Sequence, residues 1–175
     1  MIPNRAHCLE TSRLTLRPSD AADAPRASEI QSNWNVTRNL RMAPFPPDSA
    51  DIAAWFAAHE VEWRAGTAYR FAILCDGRMI GLADIDEIAD GEGDLGYWLE
   101  EPAWGQGFAF EAAQALVRFA FDSAGLTALN SGHVADNLAS GRVLTKLGFR
   151  YRGDATIPSR SRGTDILQRR YRLTP

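Results

Sequence analysis

Gly96-Tyr97-Trp98-Leu99-Glu100-Glu101-Pro102-Ala103-Trp104-Gly105-Gln106-Gly107-Phe108-Ala109-Phe110-Glu111-Ala112-Ala113 is the stretch that decides the fold. It reads as a strand, a glycine loop and the start of a helix. Gly105 and Gly107 carry no Cβ, so the backbone there can take unusual dihedrals and approach a ligand closely. A helix starting near Ala109 adds unpaired N–H groups and the positive end of its dipole. Together these make a site for phosphate or pyrophosphate. A Walker loop would place Gly-Lys-Ser/Thr at the helix start. Here Phe108 and Ala109 follow Gly107, so neither the lysine nor the magnesium-binding hydroxyl is present. A dinucleotide fingerprint needs a third small residue at position 110, which is Phe110. A nucleotide-binding enzyme is therefore disfavoured. Glycine loops also occur as plain turns, so the loop alone does not establish a ligand.

A second motif lies downstream: Asn137-Leu138-Ala139-Ser140-Gly141-Arg142-Val143-Leu144-Thr145-Lys146-Leu147-Gly148-Phe149. The pair of motifs resembles the acetyl-CoA loop and the Asn-x-x-Ser…Lys-Leu-Gly-Phe segment of the GNAT acetyltransferase superfamily, and most of all its RimJ/RimL branch. Trp104 stands where the general GNAT loop has Gln or Arg, which is similar to the RimJ/RimL form. The resemblance implies an α/β (α+β) fold over residues 1–175 as one acetyl-CoA-dependent N-acetyltransferase domain. Its central sheet would be mixed and mostly antiparallel, with helices on both faces. The strand Asp94 to Leu99 and the strand Leu126 to Val134 would be a parallel pair that splays apart, and the gap would admit the pantetheine arm of acetyl-CoA. The cofactor-binding residues carried over are Leu99, Trp104, Gly105, Gln106, Gly107, Phe108, Ala109, Asn137 and Ser140.

The rest of the chain can be read in these terms. Arg13 to Arg17 alternates polar and apolar residues as a strand does. Asp20 or Asp23 caps a helix that runs to about Gln31. Ser32 to Pro47 is irregular, a packed connector or a short element that shapes an acceptor pocket. Asp48 or Ser49 caps a helix whose Ile52, Trp55, Phe56, His59 and Trp63 share one face, and Gly66 closes it. His59, alone on that apolar face, reads as a packed residue. Tyr69 to Cys75 and Arg78 to Asp86 form a hairpin about Asp76-Gly77. The helix from about Phe108 to Ala124 buries Phe110, Ala113, Leu116, Val117, Ala120 and Phe121 by spacing. Asn137 caps a helix of about ten residues, and Gly148 ends it with Phe149 folding back on Leu144. Phe149 to Thr156 and Ile166 to Leu173 read as a closing antiparallel pair. From Arg150 onward there are seven of the 18 arginines, a stretch fit for an acidic partner or for an exposed edge.

Composition bounds the function classes. The 175 residues are 45% hydrophobic and 23% charged with a net charge of −3, an ordinary soluble composition that points away from nucleic acid. Cys8 and Cys75 have no metal-ligand spacing. No apolar run reaches membrane-spanning length and no signal-peptide pattern opens the chain, so the expectation is a cytoplasmic protein.

The chemistry implied is acyl transfer from a thioester to an amine by direct attack, with no metal and no covalent enzyme intermediate. Positioning two substrates in line carries much of such a reaction. Backbone N–H groups of the central strand can stabilise the negative charge that develops on the thioester oxygen. Ser140, near the thioester sulfur in the family, is a candidate catalytic residue that supports thiolate departure; a small packing residue is the alternative. Asp84 and Asp86 lie in an acidic run from Asp84 to Asp94 and share a strand face, so they are expected at the cleft mouth, where a carboxylate can receive the amine's proton. Solvent-facing hairpin charge is the competing reading. The expected partner is an amine acceptor, either a protein N-terminal α-amino group or a small molecule. Nucleic acid and membrane are not expected; self-association as a homodimer stays open. The alternative function is a non-catalytic acetyl-CoA-binding sensor or interaction module on the same fold.

Overall fold

The computed structural model of the chain describes residues 2–6 and 8–175. Its frame is an eight-stranded sheet in the order β1-β2-β3-β4-β5-β6-β8-β7. The strands are β1 (Leu9–Glu10), β2 (Thr15–Pro18), β3 (Tyr69–Cys75), β4 (Arg78–Ala89), β5 (Glu92–Leu99), β6 (Ala128–Val134), β7 (Arg150–Ser159) and β8 (Thr164–Leu173). Every neighbouring pair is antiparallel except β5 and β6. Those two pair in parallel from Glu92↔Ala128 to Leu95↔Ser131 and no further. Beyond that point β5 runs on to Leu99 against β4, and β6 runs on to Val134 against β8. The sheet is therefore forked, and among the described residues the facing backbone groups past the fork have no strand partner. This is the mostly antiparallel sheet with one splayed parallel pair that the motif resemblance implies.

Helices α1 (Ala24–Gln31), α2 (Trp34–Thr37), α3 (Ser49–Ala65), α4 (Phe108–Arg118) and α5 (Leu138–Lys146) complete the fold. Their ends follow local chemistry. The Asp48 carboxylate accepts from the N–H groups of Ala50 (2.9 Å) and Asp51 (3.2 Å), and Gly66 at φ 71° closes α3. Asp76 and Gly77, both at positive φ, make the tight β3–β4 turn. Gly148 at φ 94° ends α5, with the N–H of Phe149 returning to the carbonyl of Leu144 at 3.0 Å.

Strand alternation divides the interior into two cores. On one face Phe71, Ile73, Ala83, Ile85, Leu95 and Leu129 pack with Ala112, Ala113 and Leu116 of α4. On the other, Ala72 and Leu82 pack with Ala27 of α1 and Ile52 and Phe56 of α3. Trp63, Tyr69, Phe71 and Phe119 meet edge-on or tilted around the end of the first core. Truncating one such aromatic to alanine typically costs about 3–5 kcal/mol.

Two expectations need correction, and one open reading is decided. The helix expected to run evenly to Ala124 leaves α-geometry after Arg118 and ends in a π turn, Phe119–Ser123. Ser32 to Pro47 contains one short helix, α2, capped by the Asn33 side chain. Phe110, expected in the core, faces the cleft described below. A 3.6-residue period places side chains on a common face, but it does not say which edge of that face meets the sheet.

Candidate active site

The fork opens into a cleft of about 480 Å³. Its walls come from the end of β5, the glycine loop and start of α4, the end of β6, α5, and the α2 segment. The Trp104 indole N–H donates to the carbonyl of Leu99 at 2.9 Å and so folds the loop back onto the end of β5. Gly105 and Gly107 sit at φ 74° and 82°, in the left-handed region where side chains are strained. A Cβ at Gly105 would meet nothing within 4 Å, whereas one at Gly107 would lie 3.4 Å from Arg13 Nη2. Among the described residues, none accepts a hydrogen bond from the backbone N–H groups of Gly105 through Phe110. Those free donors at the start of α4 are a nest, an arrangement that suits a phosphate or pyrophosphate.

The loop is braced by a residue that the motif reading does not include. Arg13 donates through Nε to Glu111 Oε2 (2.8 Å) and through Nη1 to the carbonyl of Gln106 (2.9 Å), and its guanidinium lies 4.4 Å from the centre of the Phe108 ring. Glu111 also accepts from Thr11 Oγ1 (2.7 Å) and from the Arg13 N–H (2.8 Å). The β1–β2 turn thereby fixes the first turn of α4.

Leu99, Trp104, Gly105, Gly107, Phe108, Ala109, Asn137 and Ser140 all line the cleft. Gln106 does not: its side chain bonds back to the carbonyl of Pro102 at 3.0 Å. Asn137 caps α5, its Oδ1 accepting from the Ser140 N–H at 3.3 Å. Ser140 Oγ lies 2.8 Å from the hydroxyl of Tyr97 on β5. Burial pushes the Tyr97 phenol up to about 12, with the Ser140 bond acting in the opposite direction. Tyr97 therefore stays protonated at neutral pH and keeps a proton to donate.

His133, Arg142 and Lys146 also line the cleft without having been singled out by motif. Lys146 Nζ sits 4.0 Å from the Phe110 ring centre. His133 Nδ1 is 2.8 Å from the carbonyl of Val134. A Cβ on Gly141 would come within 2.7 Å of His133 Nε2, so that glycine is what lets α5 approach β6 so closely.

Asp84 and Asp86 lie on the opposite sheet face from Tyr97 and outside the lining of the cleft. Asp84 is buried and pairs with the Arg70 guanidinium. Asp86 Oδ2 meets the same guanidinium at 3.2 Å, and Glu62 meets it at 2.8 Å. Three carboxylates thus surround one arginine. Burial pushes Asp84 up to about 7; Arg70 pulls it down and Asp86 pushes it further up. Asp84 is paired in register with Gly96, the first β5 residue past the fork, and a Cβ there would lie 2.8 Å from Asp84 Oδ1. The missing side chain leaves that oxygen at the fork.

His59 is packed, as its apolar face suggests. Its ring lies against Trp55 and Phe56, Nδ1 is 2.8 Å from Ser19 Oγ, and burial pushes it down to about 3, helped by Arg70. Among the described residues no group of three or more His, Cys, Asp or Glu side chains could hold a metal ion, and no helix is long and apolar enough to cross a membrane.

Known proteins share the fold, and a family model covers the stretch that holds both motifs. The family model described as acetyltransferase (GNAT) domain matches residues 13–150, which takes in the fork, the glycine loop and Asn137 to Phe149. The uncharacterized N-acetyltransferase p20 of Bacillus licheniformis is 31% identical over 151 residues, 83% of each chain. Among solved structures, RimL, the ribosomal L7/L12 alpha-N-protein acetyltransferase in complex with coenzyme A, superposes with a TM-score of 0.85 at 20% identity, over 96% of this chain and 98% of that one. RimJ of Mycobacterium smegmatis, in complex with CoA-disulfide, gives 0.86 at 22% identity over 99% and 90%. The family match spans the very residues that build the nest and the fork, and on that ground the chain belongs to the GNAT family of acetyltransferases, enzymes that use acetyl-CoA.

Proposed function

We propose that this chain transfers the acetyl group of acetyl-CoA to an amine at the fork, and that the acceptor is the α-amino group of a polypeptide or a small amine of similar basicity. The observation that carries the reading is the joint placement of the anion nest and the Tyr97–Ser140 pair along one cleft that opens from the fork. When bound, acetyl-CoA supplies an activated acetyl thioester.

The loop amides from Gly105 to Phe110 and the Asn137 side chain would hold it. The unpaired backbone N–H groups of β5 past Leu95 would face the acetyl oxygen and stabilise charge developing there. The Tyr97 phenol, protonated at neutral pH, donates through Ser140 Oγ or directly to the departing sulfur. Asp84, whose carboxyl is raised toward neutrality, lies outside the cleft lining but beside Gly96 at the fork, and from there would receive the proton of the incoming amine through water. Asp86 tunes it through the shared arginine. An α-amine has a pKa near 8 against about 10.4 for lysine, so a carboxylate titrating near 7 matches an α-amine better. The name of RimL, an alpha-N-protein acetyltransferase, supports the same acceptor class.

The test is acetyl-CoA turnover, read as free thiol, against a panel of Ser- and Ala-initiated peptides, polyamines and aminoglycosides. The expected result is turnover of at least one α-amine. Tight acetyl-CoA binding with no turnover of any amine would instead favour the acetyl-CoA sensor.

A further inference from the structure

One wall of the cleft is built from Val36, Asn39 and Leu40, in and just after the four-residue α2. This wall belongs to neither cofactor motif. At its start Asn33 and Asn35 donate to Glu101, at 2.6 and 3.0 Å; from Arg38 onward the tip of the β7–β8 hairpin holds it. Arg162 Nε donates to the carbonyl of Arg38 at 2.9 Å. Ser161 Oγ donates to the carbonyl of Leu40 at 3.1 Å. The Arg160 N–H donates to the carbonyl of Arg41 at 2.8 Å. The same Arg162 reaches across to Asp136 with both terminal nitrogens, at 2.9 and 3.0 Å, and Arg38 adds a contact to that carboxylate at 3.2 Å. Arg162 holds the Asp136 carboxyl below the usual carboxylate range. Asp136 immediately precedes Asn137, which lines the cleft and caps α5. One guanidinium, four-fifths buried, therefore joins the α2 wall to the turn that carries Asn137.

We propose that Arg162 is a positioning residue that, through Asp136, sets the α2 wall at a fixed distance from the Asn137 turn and so shapes the acceptor end of the cleft. Planar bidentate pairing is what makes an arginine suited to this: two parallel bonds fix orientation as well as distance, and lysine supplies only a point charge. The kinetic consequence rests on the acetyl-transfer reading; the structural one does not.

The full chain is compared with Arg162→Ala, Arg162→Lys, Asp136→Asn and the double variant Arg162→Ala/Asp136→Asn. Amide hydrogen exchange is followed across residues 34–42 without ligand, acetyl-CoA affinity is measured by calorimetry, and KM and kcat are measured with a Ser-initiated peptide. Arg162→Ala and Asp136→Asn are expected to speed exchange in that segment roughly tenfold, the scale of one charge-assisted hydrogen bond. Arg162→Lys falls between these and wild type, and the double variant is worse than Arg162→Ala by much less than the sum of the single changes, because the Arg162–Asp136 pair is shared and only the Arg38–Asp136 contact is left to lose. Peptide KM rises while acetyl-CoA affinity moves by less than about twofold, since neither residue lines the cleft. Unchanged exchange at 34–42 in Arg162→Ala overturns the proposal. So does a general loss of melting temperature in which acetyl-CoA affinity and peptide KM worsen together, because that is the mark of plain structural support. If wild type acetylates no amine, the functional reading fails and the exchange arm alone decides the positioning.

Discussion

Asp84→Asn keeps the size of the side chain and removes its charge beside Arg70. Wild-type Asp84 is pushed up to about 7 in the folded protein, chiefly by burial, whereas an unfolded aspartate titrates near 3.9. Between those values the folded state holds a proton that the unfolded state has released. The contribution of Asp84 to stability is thus complete below the unfolded pKa and is lost as pH rises through the folded one. The gap corresponds to a ceiling on the order of 4 kcal/mol, of which at most about 3 kcal/mol falls between pH 5 and 7. Arg70 retains Glu62 and Asp86 in the variant, so the fold is expected to survive. Urea denaturation of both proteins from pH 5 to 8 reads the effect. The stability of wild type relative to the variant should fall as pH rises to 7 and level off above it. In turnover, kcat/KM for the amine should drop by roughly 10²- to 10⁴-fold, the range of positioned acid–base groups. The loss should shrink toward pH 9 as more of the amine arrives already deprotonated. A pH-independent stability difference would remove the raised carboxyl, and wild-type kcat/KM from pH 6 to 9 would remove the proton-accepting role.

Ser140→Ala should lower turnover roughly ten- to a thousandfold with acetyl-CoA affinity nearly unchanged, and Tyr97→Phe should do the same if the pair works as a unit; wild-type turnover in both returns the pair to packing. Gly107→Glu should still fold, because a Cβ there would meet only Arg13 Nη2. The φ of 82° costs about 1–3 kcal/mol, and added negative charge at the nest should abolish acetyl-CoA binding by calorimetry; an unchanged Kd in the folded variant would refute the nest. Removing both Arg142 and Lys146, the cations of α5 that line the cleft, should weaken CoA and flatten the salt dependence of its binding between low and physiological ionic strength. An unaltered salt slope would mean that the phosphates lie elsewhere.

What could be read from the sequence is whatever local chemistry dictates. Gly105, Gly107, Gly66 and Gly148 all take positive φ where their neighbours call for a turn or a cap, and Asn137 caps α5 through its own side chain. The features missed depend on which distant residues meet. Tyr97 and Ser140 are 43 positions apart, and Arg13 and Glu111 are 98 apart. The acidic pair shows the physical reason most clearly. Alternation alone puts Asp84 and Asp86 on one face, but what stands opposite them depends on register. From the Asp76-Gly77 turn the hairpin pairs Cys75 with Arg78 and Leu74 with Met79, and a uniform continuation would set Arg70 opposite Ala83. Ile80 is an extra residue in β4 that shifts the register at Ile73/Leu74, so that Arg70 meets Asp84 instead. A one-residue slip moves every side chain to the other face. Without that bulge Arg70 would lie on the face of Ala83 and Tyr97, and Asp84 and Asp86 would be left with no cation across the strand. The electrostatics at the fork therefore depend on a single inserted isoleucine, which no motif or period in the sequence marks out.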